Sequence, residues 1–152
     1  MPAELNIPTR LETPKGLRIH IGLFGRRNAG KSSLINALTN QQIAIVSDVP
    51  GTTTDPVEKA CELAPVGPVV FIDTAGIDDV GKLGHLRTDR TMSVLGWMDL
   101  ALIVCDAAGI TDYEKELFRI VTANKMPAIV VLNKTDLHAP EAPVISTIKS
   151  FN

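Results

Sequence analysis

Eight residues constrain this chain most: Gly25-Arg26-Arg27-Asn28-Ala29-Gly30-Lys31-Ser32, followed by Ser33. They stand between an apolar run, Arg18 to Phe24, and a segment, Lys31 to Thr39, whose Leu34, Ile35 and Leu38 share one helical face. Two glycines at this spacing, ahead of Lys-Ser and between a strand and a helix, let the backbone curl until successive N–H groups point inward. Such a concavity at a helix N-terminus attracts phosphate. Lys31 is then expected to reach the β- and γ-phosphates of a nucleotide, and Ser32 to supply an oxygen to Mg²⁺. A strand–loop–helix unit of this kind belongs in a sheet covered by helices.

The rest of the chain follows that pattern. Val57 to Leu63 alternates loosely, Pro65-Val66-Gly67-Pro68 is a turn, and Val69 to Asp73 completes a hairpin. Helices are predicted at His85 to Trp97 and Tyr113 to Asn124, and strands at Leu100 to Cys105 and Pro127 to Leu132. A short last strand is predicted at Pro143 to Ser146, with no final helix. Apolar strands alternating with helices imply a three-layer α/β fold, with a mostly parallel central sheet and helices on both faces. Ligands in such sheets bind at the carboxyl ends of strands. Residues 1–16 carry prolines and little periodicity, and read as a flexible segment before a domain at 17–152.

Charge and composition narrow the partners. A net charge of −2 gives no electrostatic case for nucleic acid or an anionic membrane. The longest apolar runs, about five residues, fall far short of the ~20 that span a bilayer. The first residues lack the charged-then-apolar layout of a secretory signal, so a cytoplasmic location is expected. Cys61 and Cys105 show no ligand spacing and read as buried reduced thiols.

Three further motifs each follow a predicted strand or precede one. Asp73 ends the apolar run Val69-Val70-Phe71-Ile72, where an acid is costly unless it meets a partner. Downstream of a phosphate loop it is placed to hold the water shell of Mg²⁺. Gly76, in Asp73-Thr74-Ala75-Gly76, offers a backbone N–H for close approach by a γ-phosphate. Between these motifs lies Asp48-Val49-Pro50-Gly51-Thr52-Thr53-Thr54-Asp55-Pro56, a loop able to move. One of its threonines, Thr52 or Thr53 among them, is expected to close over Mg²⁺ and the γ-phosphate. Asn133-Lys134-Thr135-Asp136 follows the run Ala128 to Leu132. A carboxylate there accepts two hydrogen bonds from guanine, and adenine would leave it buried and unpaired. The Lys134 stem can pack on the base, and Asn133 can tie this loop to the phosphate loop.

In this order the four motifs resemble the translation-factor-like GTPases with a P-loop, Ras-like fold. The stretches GRRNAGKSSLINAL and PGTTTD look most like the tRNA-modification and ribosome-assembly branch. With IAIVSDVPGTTTDPV, GPVVFIDTAGIDD and GKLG, the chain from about Arg18 to Asp136 resembles the GTPase domain of the FeFe-hydrogenase maturation GTPases, the HydF family. The resemblance implies GTP and GDP as ligands, Mg²⁺ held by Ser32, Thr53 and Asp73, and a K⁺ ion beside Asn28. It makes Thr53 the switch threonine. Thr54 replaces a basic residue usual in that branch, and Arg27 a frequent proline. Nucleotide contacts are expected from Gly25, Arg26, Arg27, Asn28, Ala29, Gly30, Lys31, Ser32, Ser33, Thr52, Thr53, Asp73, Gly76, Asn133, Lys134 and Asp136, with Ser146 as an echo of the guanine-binding SA loop. That family also has a dimerisation domain and an iron–sulfur domain. No cluster is expected here, and the GTPase domain is expected to be incomplete at its C-terminus.

The mechanism implied is slow GTP hydrolysis that acts as a switch in hydrogenase maturation, with Lys31, Thr53, Gly76 and Asn28 as catalytic residues. Ras-like proteins carry a water-orienting glutamine where this chain has Ile77, which cannot orient water. K⁺ near Asn28 is therefore expected to stimulate turnover. Expected partners are GTP, other hydrogenase maturation proteins, the hydrogenase itself, and a second copy through regions beyond these residues. A tRNA-modification or ribosome-assembly GTPase is the alternative, and it predicts association with RNA or the ribosome. A nucleotide-gated protein-binding module with negligible turnover is the alternative from another class.

Overall fold

The computed structural model describes residues 17–39, 57–74 and 88–151. Within them the order is β1 (Ile19–Phe24), α1 (Lys31–Thr39), β2 (Val57–Leu63), β3 (Gly67–Asp73), α2 (Thr88–Leu95), β4 (Leu100–Asp106), α3 (Asp112–Ala123), β5 (Ala128–Asn133) and α4 (Ala142–Lys149). The strands form one sheet in the order β2-β3-β1-β4-β5. The β2–β3 hairpin is antiparallel and every other pairing is parallel. This is the mostly parallel sheet that the apolar, β-branched runs require, since both of its faces must be covered.

Period-two alternation divides the core. Ile21 and Leu23 of β1 face α1 and join Ile35, Val69, Phe71 and Leu102. Phe24 faces the other way and joins Val70, Ile72, Ile103 and Cys105 under Val94 and Leu95 of α2 and Leu117, Phe118 and Val121 of α3. Each helix thus buries one stripe at helical spacing. Burying such a side chain contributes on the order of 1.5–3 kcal/mol, which makes this double interface the main stabilising term. The β5 strand closes one side of the sheet, and Ile129 there is 51% exposed.

Two expectations change at the helices. The helix predicted at His85 to Trp97 spans Thr88–Leu95, its first residues lying outside the described ones. It stops before Gly96, where Trp97 N–H turns to the Val94 carbonyl at 3.3 Å. The strand predicted at Pro143 to Ser146 is instead inside α4, so a helix does follow the last strand. Pro143 sits in the first helical turn, where its missing N–H has no partner to lose and its fixed φ suits the helix. Val144 is buried, and Phe151, just past the helix, stacks on Phe118 of α3 with ring centroids 4.0 Å apart. The packing of this turn against α3 overrode the β-branched composition of Val144-Ile145.

Candidate nucleotide-binding site

Among the described residues, the phosphate loop, Asp73 and the Asn133–Asp136 loop lie at the carboxyl ends of β1, β3 and β5, beside the end of β4. The phosphate loop leaves β1 at Gly25, whose φ is +149° and whose missing Cβ would lie 2.4 Å from the Val104 carbonyl oxygen. Only glycine lets the chain pass this close to β4. The loop turns with Ala29 N–H on the Arg26 carbonyl at 3.1 Å, and Asn28 takes a left-handed φ of 63°. Gly30 follows at φ 100°, and α1 begins with Leu34 N–H on the Gly30 carbonyl at 2.9 Å. Lys31, 8% exposed, donates its ammonium to the Gly25 carbonyl and so lies within the curl of the loop. Ser32 and Ser33 are exposed on the first turn of α1, and Arg27 and Asn28 are exposed on the loop.

Asp73 ends β3 at 6% exposure and pairs in register with Leu23, two positions before Gly25. The next residue, Thr74, donates its hydroxyl to the Leu23 carbonyl, so the end of β3 is fastened to the end of β1. Ser32 and Asp73 are oxygen donors on adjacent elements, the donor chemistry Mg²⁺ takes. Thr52, Thr53, Thr54, Gly76 and Ile77 lie outside the described residues.

The guanine loop is bonded directly to the phosphate loop. Asn133 Nδ2 donates to the Ala29 carbonyl at 2.9 Å. Lys134 takes φ 62°, a strained conformation for a residue with a long side chain. Its ammonium donates to the Asn28 carbonyl at 2.5 Å and to Asp106 Oδ2 at 3.0 Å. Its carbonyl accepts the N–H groups of Leu137 and His138, both at 3.0 Å, closing a turn that leaves Asp136 exposed. Ser146 is not in this cluster's loops: it is exposed on α4, because the residues meant to supply a loop form a helix.

The Arg26 side chain is engaged elsewhere, so any nucleotide contact from this residue falls to its backbone. Its guanidinium turns away from the loop's concavity, pairs through Nε with Glu114 and donates from Nη2 to the Gly109 carbonyl at 3.0 Å. Glu114, in the first turn of α3, is 0% exposed and also accepts from Thr111 N–H at 2.7 Å and Thr111 Oγ1 at 2.5 Å. Asp106, at the end of β4, has its carboxyl held below the usual carboxylate range, first by the Ala108 N–H and then by Lys134. Neither acid is among the expected site residues. The signal was present as Thr111-Asp112-Tyr113-Glu114, a helix-start pattern with an acid at its fourth position. Nothing in that pattern tells that the acid is buried or faces Arg26.

A family model described as 50S ribosome-binding GTPase matches residues 20–134. GTPase Der of Wolinella succinogenes is 40% identical over 134 residues, covering 86% of this chain and 28% of the relative. The tRNA modification GTPase MnmE of Chloroflexus aurantiacus is 44% identical over 125 residues, covering 80% and 26%. A crystal structure of an Aquifex aeolicus Era variant bound to GDP and AlF4⁻ superposes with a TM-score of 0.62 at 29% identity, covering 86% of this chain and 45% of that one. Another Era structure, in complex with MgGDPNP and a piece of 16S ribosomal RNA, matches with a TM-score of 0.62 at 29% identity, covering 86% and 45%. The chain thus spans under a third of the length of these curated relatives. Among the described residues no helix is long and apolar enough to cross a membrane. With its phosphate loop, strand-end acid and guanine loop joined at the end of a mostly parallel sheet, the chain belongs to the 50S ribosome-binding GTPase family.

Proposed function

We propose that this domain binds GTP with Mg²⁺, hydrolyses it slowly, and serves as the nucleotide switch of a tRNA-modification or ribosome-assembly GTPase. The observation that carries the reading is the bonding of Asn133 and Lys134 to the Ala29 and Asn28 carbonyls. Those bonds tie the turn that carries Asp136, which would read the base, to the loop that carries Lys31. Ser32, Thr53 and Asp73 are the residues that would hold Mg²⁺, which when bound offsets charge on the phosphates. Lys31 and the loop N–H groups stabilise charge that develops on the transferred phosphoryl group. The Gly76 N–H would serve the γ-phosphate; Ile77 cannot orient water, and Asn28 would hold a K⁺ ion that supplies positive charge beside the phosphates. The branch is supported by the family match and the similarity to Der, MnmE and Era.

A second reading, a switch in hydrogenase maturation, rests on the loop stretches PGTTTDPV and GKLG. The two diverge in their partners. The test begins with GTP against ATP binding and with hydrolysis in K⁺ and in Na⁺. Capture from a cell extract in the GTP-bound and GDP-bound states then separates them. Nucleotide-dependent recovery of tRNA or ribosomal RNA supports the first reading. Recovery of hydrogenase maturation proteins without RNA replaces it with the second. A domain that prefers ATP, or neither nucleotide, overturns both.

A further inference from the structure

We propose that the β4–α3 loop, residues 106–111, with Glu114 at the start of α3, is a strut that positions the phosphate loop and the guanine loop as one unit, Glu114 acting through Arg26 and Asp106 acting through Lys134. The inference rests on the GTP-binding reading and adds two positioning residues to it.

The strut has two fastened ends. At one end Asp106 accepts the Ala108 N–H through Oδ1 at 2.9 Å and the Lys134 ammonium through Oδ2 at 3.0 Å. The neighbouring Ala107 N–H donates to the Asn133 carbonyl at 2.9 Å. The guanine loop is thus held at two consecutive residues. At the other end Arg26, in the phosphate loop, grips the Gly109 carbonyl and the Glu114 carboxylate. The same carboxylate holds the Thr111 N–H and hydroxyl, which orders the segment between the two fastenings.

An ordinary helix-start acid needs only the Thr111 N–H and can stay in water. Glu114 is 0% exposed and spends its second oxygen on Arg26. A buried carboxylate is costly unless fully paired, and an apolar residue could fill the space without that cost. Full pairing of both oxygens to two different loops fixes geometry rather than adding stability. Removing the Arg26 fastening would let the phosphate loop drift against the β4–α3 loop. Removing the Asp106 fastening would let Lys134, and with it the turn that carries Asp136, drift against the same loop. The base end and the phosphate end of the nucleotide would then no longer share one frame.

The test uses the whole chain and competition of GTP, ITP and ATP against a fluorescent GDP, with thermal melts alongside. Wild-type protein that does not prefer GTP to ATP sinks the underlying reading, whatever the variants do. Given that preference, Glu114→Gln is the informative change. Its amide oxygen can still serve Thr111, leaving the amide NH₂ against the guanidinium, donor against donor. The melt then stays near wild type while GDP affinity falls about tenfold and the GTP-over-ITP preference shrinks several-fold. ITP lacks the exocyclic amine that Asp136 reads, so that ratio reports the placement of Asp136 and does not depend on the fraction of folded protein. Asp106→Asn is expected to move the same ratio in the same direction. If Glu114→Gln does not fold, Asp106→Asn, on a side chain 20% exposed, decides alone. Wild-type affinity and wild-type GTP-over-ITP preference in the folded variants overturn the proposal and leave Glu114 as a helix cap.

Discussion

The Asn133 side chain fills the space that a Cβ on Gly30 would need: its Nδ2 lies 2.1 Å from that position while donating to the Ala29 carbonyl at 2.9 Å. The glycine of the phosphate loop is therefore also the seat of the guanine loop. Gly30→Ala meets both a φ of 100° that L residues rarely adopt and the displacement of Asn133. The expected result is a loss of about 1–2 kcal/mol in urea unfolding, with GTP affinity falling well beyond that because the two loops separate. An alanine variant that binds GTP as wild type does would show that the contact is dispensable.

Asn28 has a left-handed φ of 63°, so replacing it tests two things at once. Asn28→Ala strains the backbone and removes the side chain, whereas Asn28→Gly removes only the side chain. If the side chain holds K⁺, turnover in wild type rises in K⁺ over Na⁺, and both variants lose that difference. A difference that survives in Asn28→Gly places the K⁺ effect elsewhere.

Asp136 is exposed in a turn closed by the Lys134 carbonyl, free to meet a base. Asp136→Asn exchanges two acceptor oxygens for an acceptor and a donor. Affinity for GTP is expected to drop by at least about tenfold. Affinity for XTP should rise, because xanthine carries an oxygen where guanine carries its amine. Competition binding with both nucleotides checks the crossover.

Burial pushes the Cys105 thiol up to about 12, with the Glu114 charge adding to the effect. Burial also raises Cys61, to a lesser degree. At pH 8 a thiol reagent should modify Cys61 slowly and Cys105 only on unfolding, since the thiolate is the reacting form. Mass spectrometry of labelled protein, with and without urea, distinguishes the two sites. Prompt labelling of Cys105 in the native protein would contradict its burial.

The Asp106 carboxyl is held below the usual carboxylate range by the Ala108 N–H and by Lys134. A depressed carboxylate contributes stability that is present above its unfolded value and is lost as pH falls through the folded one. Wild-type stability should therefore decline below about pH 4 more steeply than that of Asp106→Asn, which lacks this group. Urea midpoints across pH 3 to 7 give the comparison.

The phosphate loop was legible because its chemistry is local. Gly25, Gly30 and Lys31 work through the backbone curl of a few consecutive residues, and the run before them and the periodicity after them supply the strand and helix. The guanine loop was legible for the same reason, down to the tie between Asn133 and the phosphate loop. The direction of the Arg26 side chain was not legible, because a residue's place in a loop does not give the direction of a long side chain. Glu114 and Asp106 went unnoticed because their partners are far away in sequence. The helix at α4 was read as a strand because Val144 and Ile145 favour extended backbone, while the contact that decides the matter, Phe151 on Phe118, joins separate elements.

By itself, then, the sequence determined the mostly parallel α/β sheet and the strand-end position of the two loops proposed to meet phosphate and guanine. Each of these depends on periodicity or on the φ/ψ freedom of neighbouring residues. The tertiary structure alone decided that Lys134 also bonds the Asn28 carbonyl and that both loops are bonded to the segment between β4 and α3. A salt bridge such as Arg26–Glu114 exists only once the sheet has brought β1, β4 and α3 together, and burial, which gives that pair its energetic weight, is a property of the packed whole.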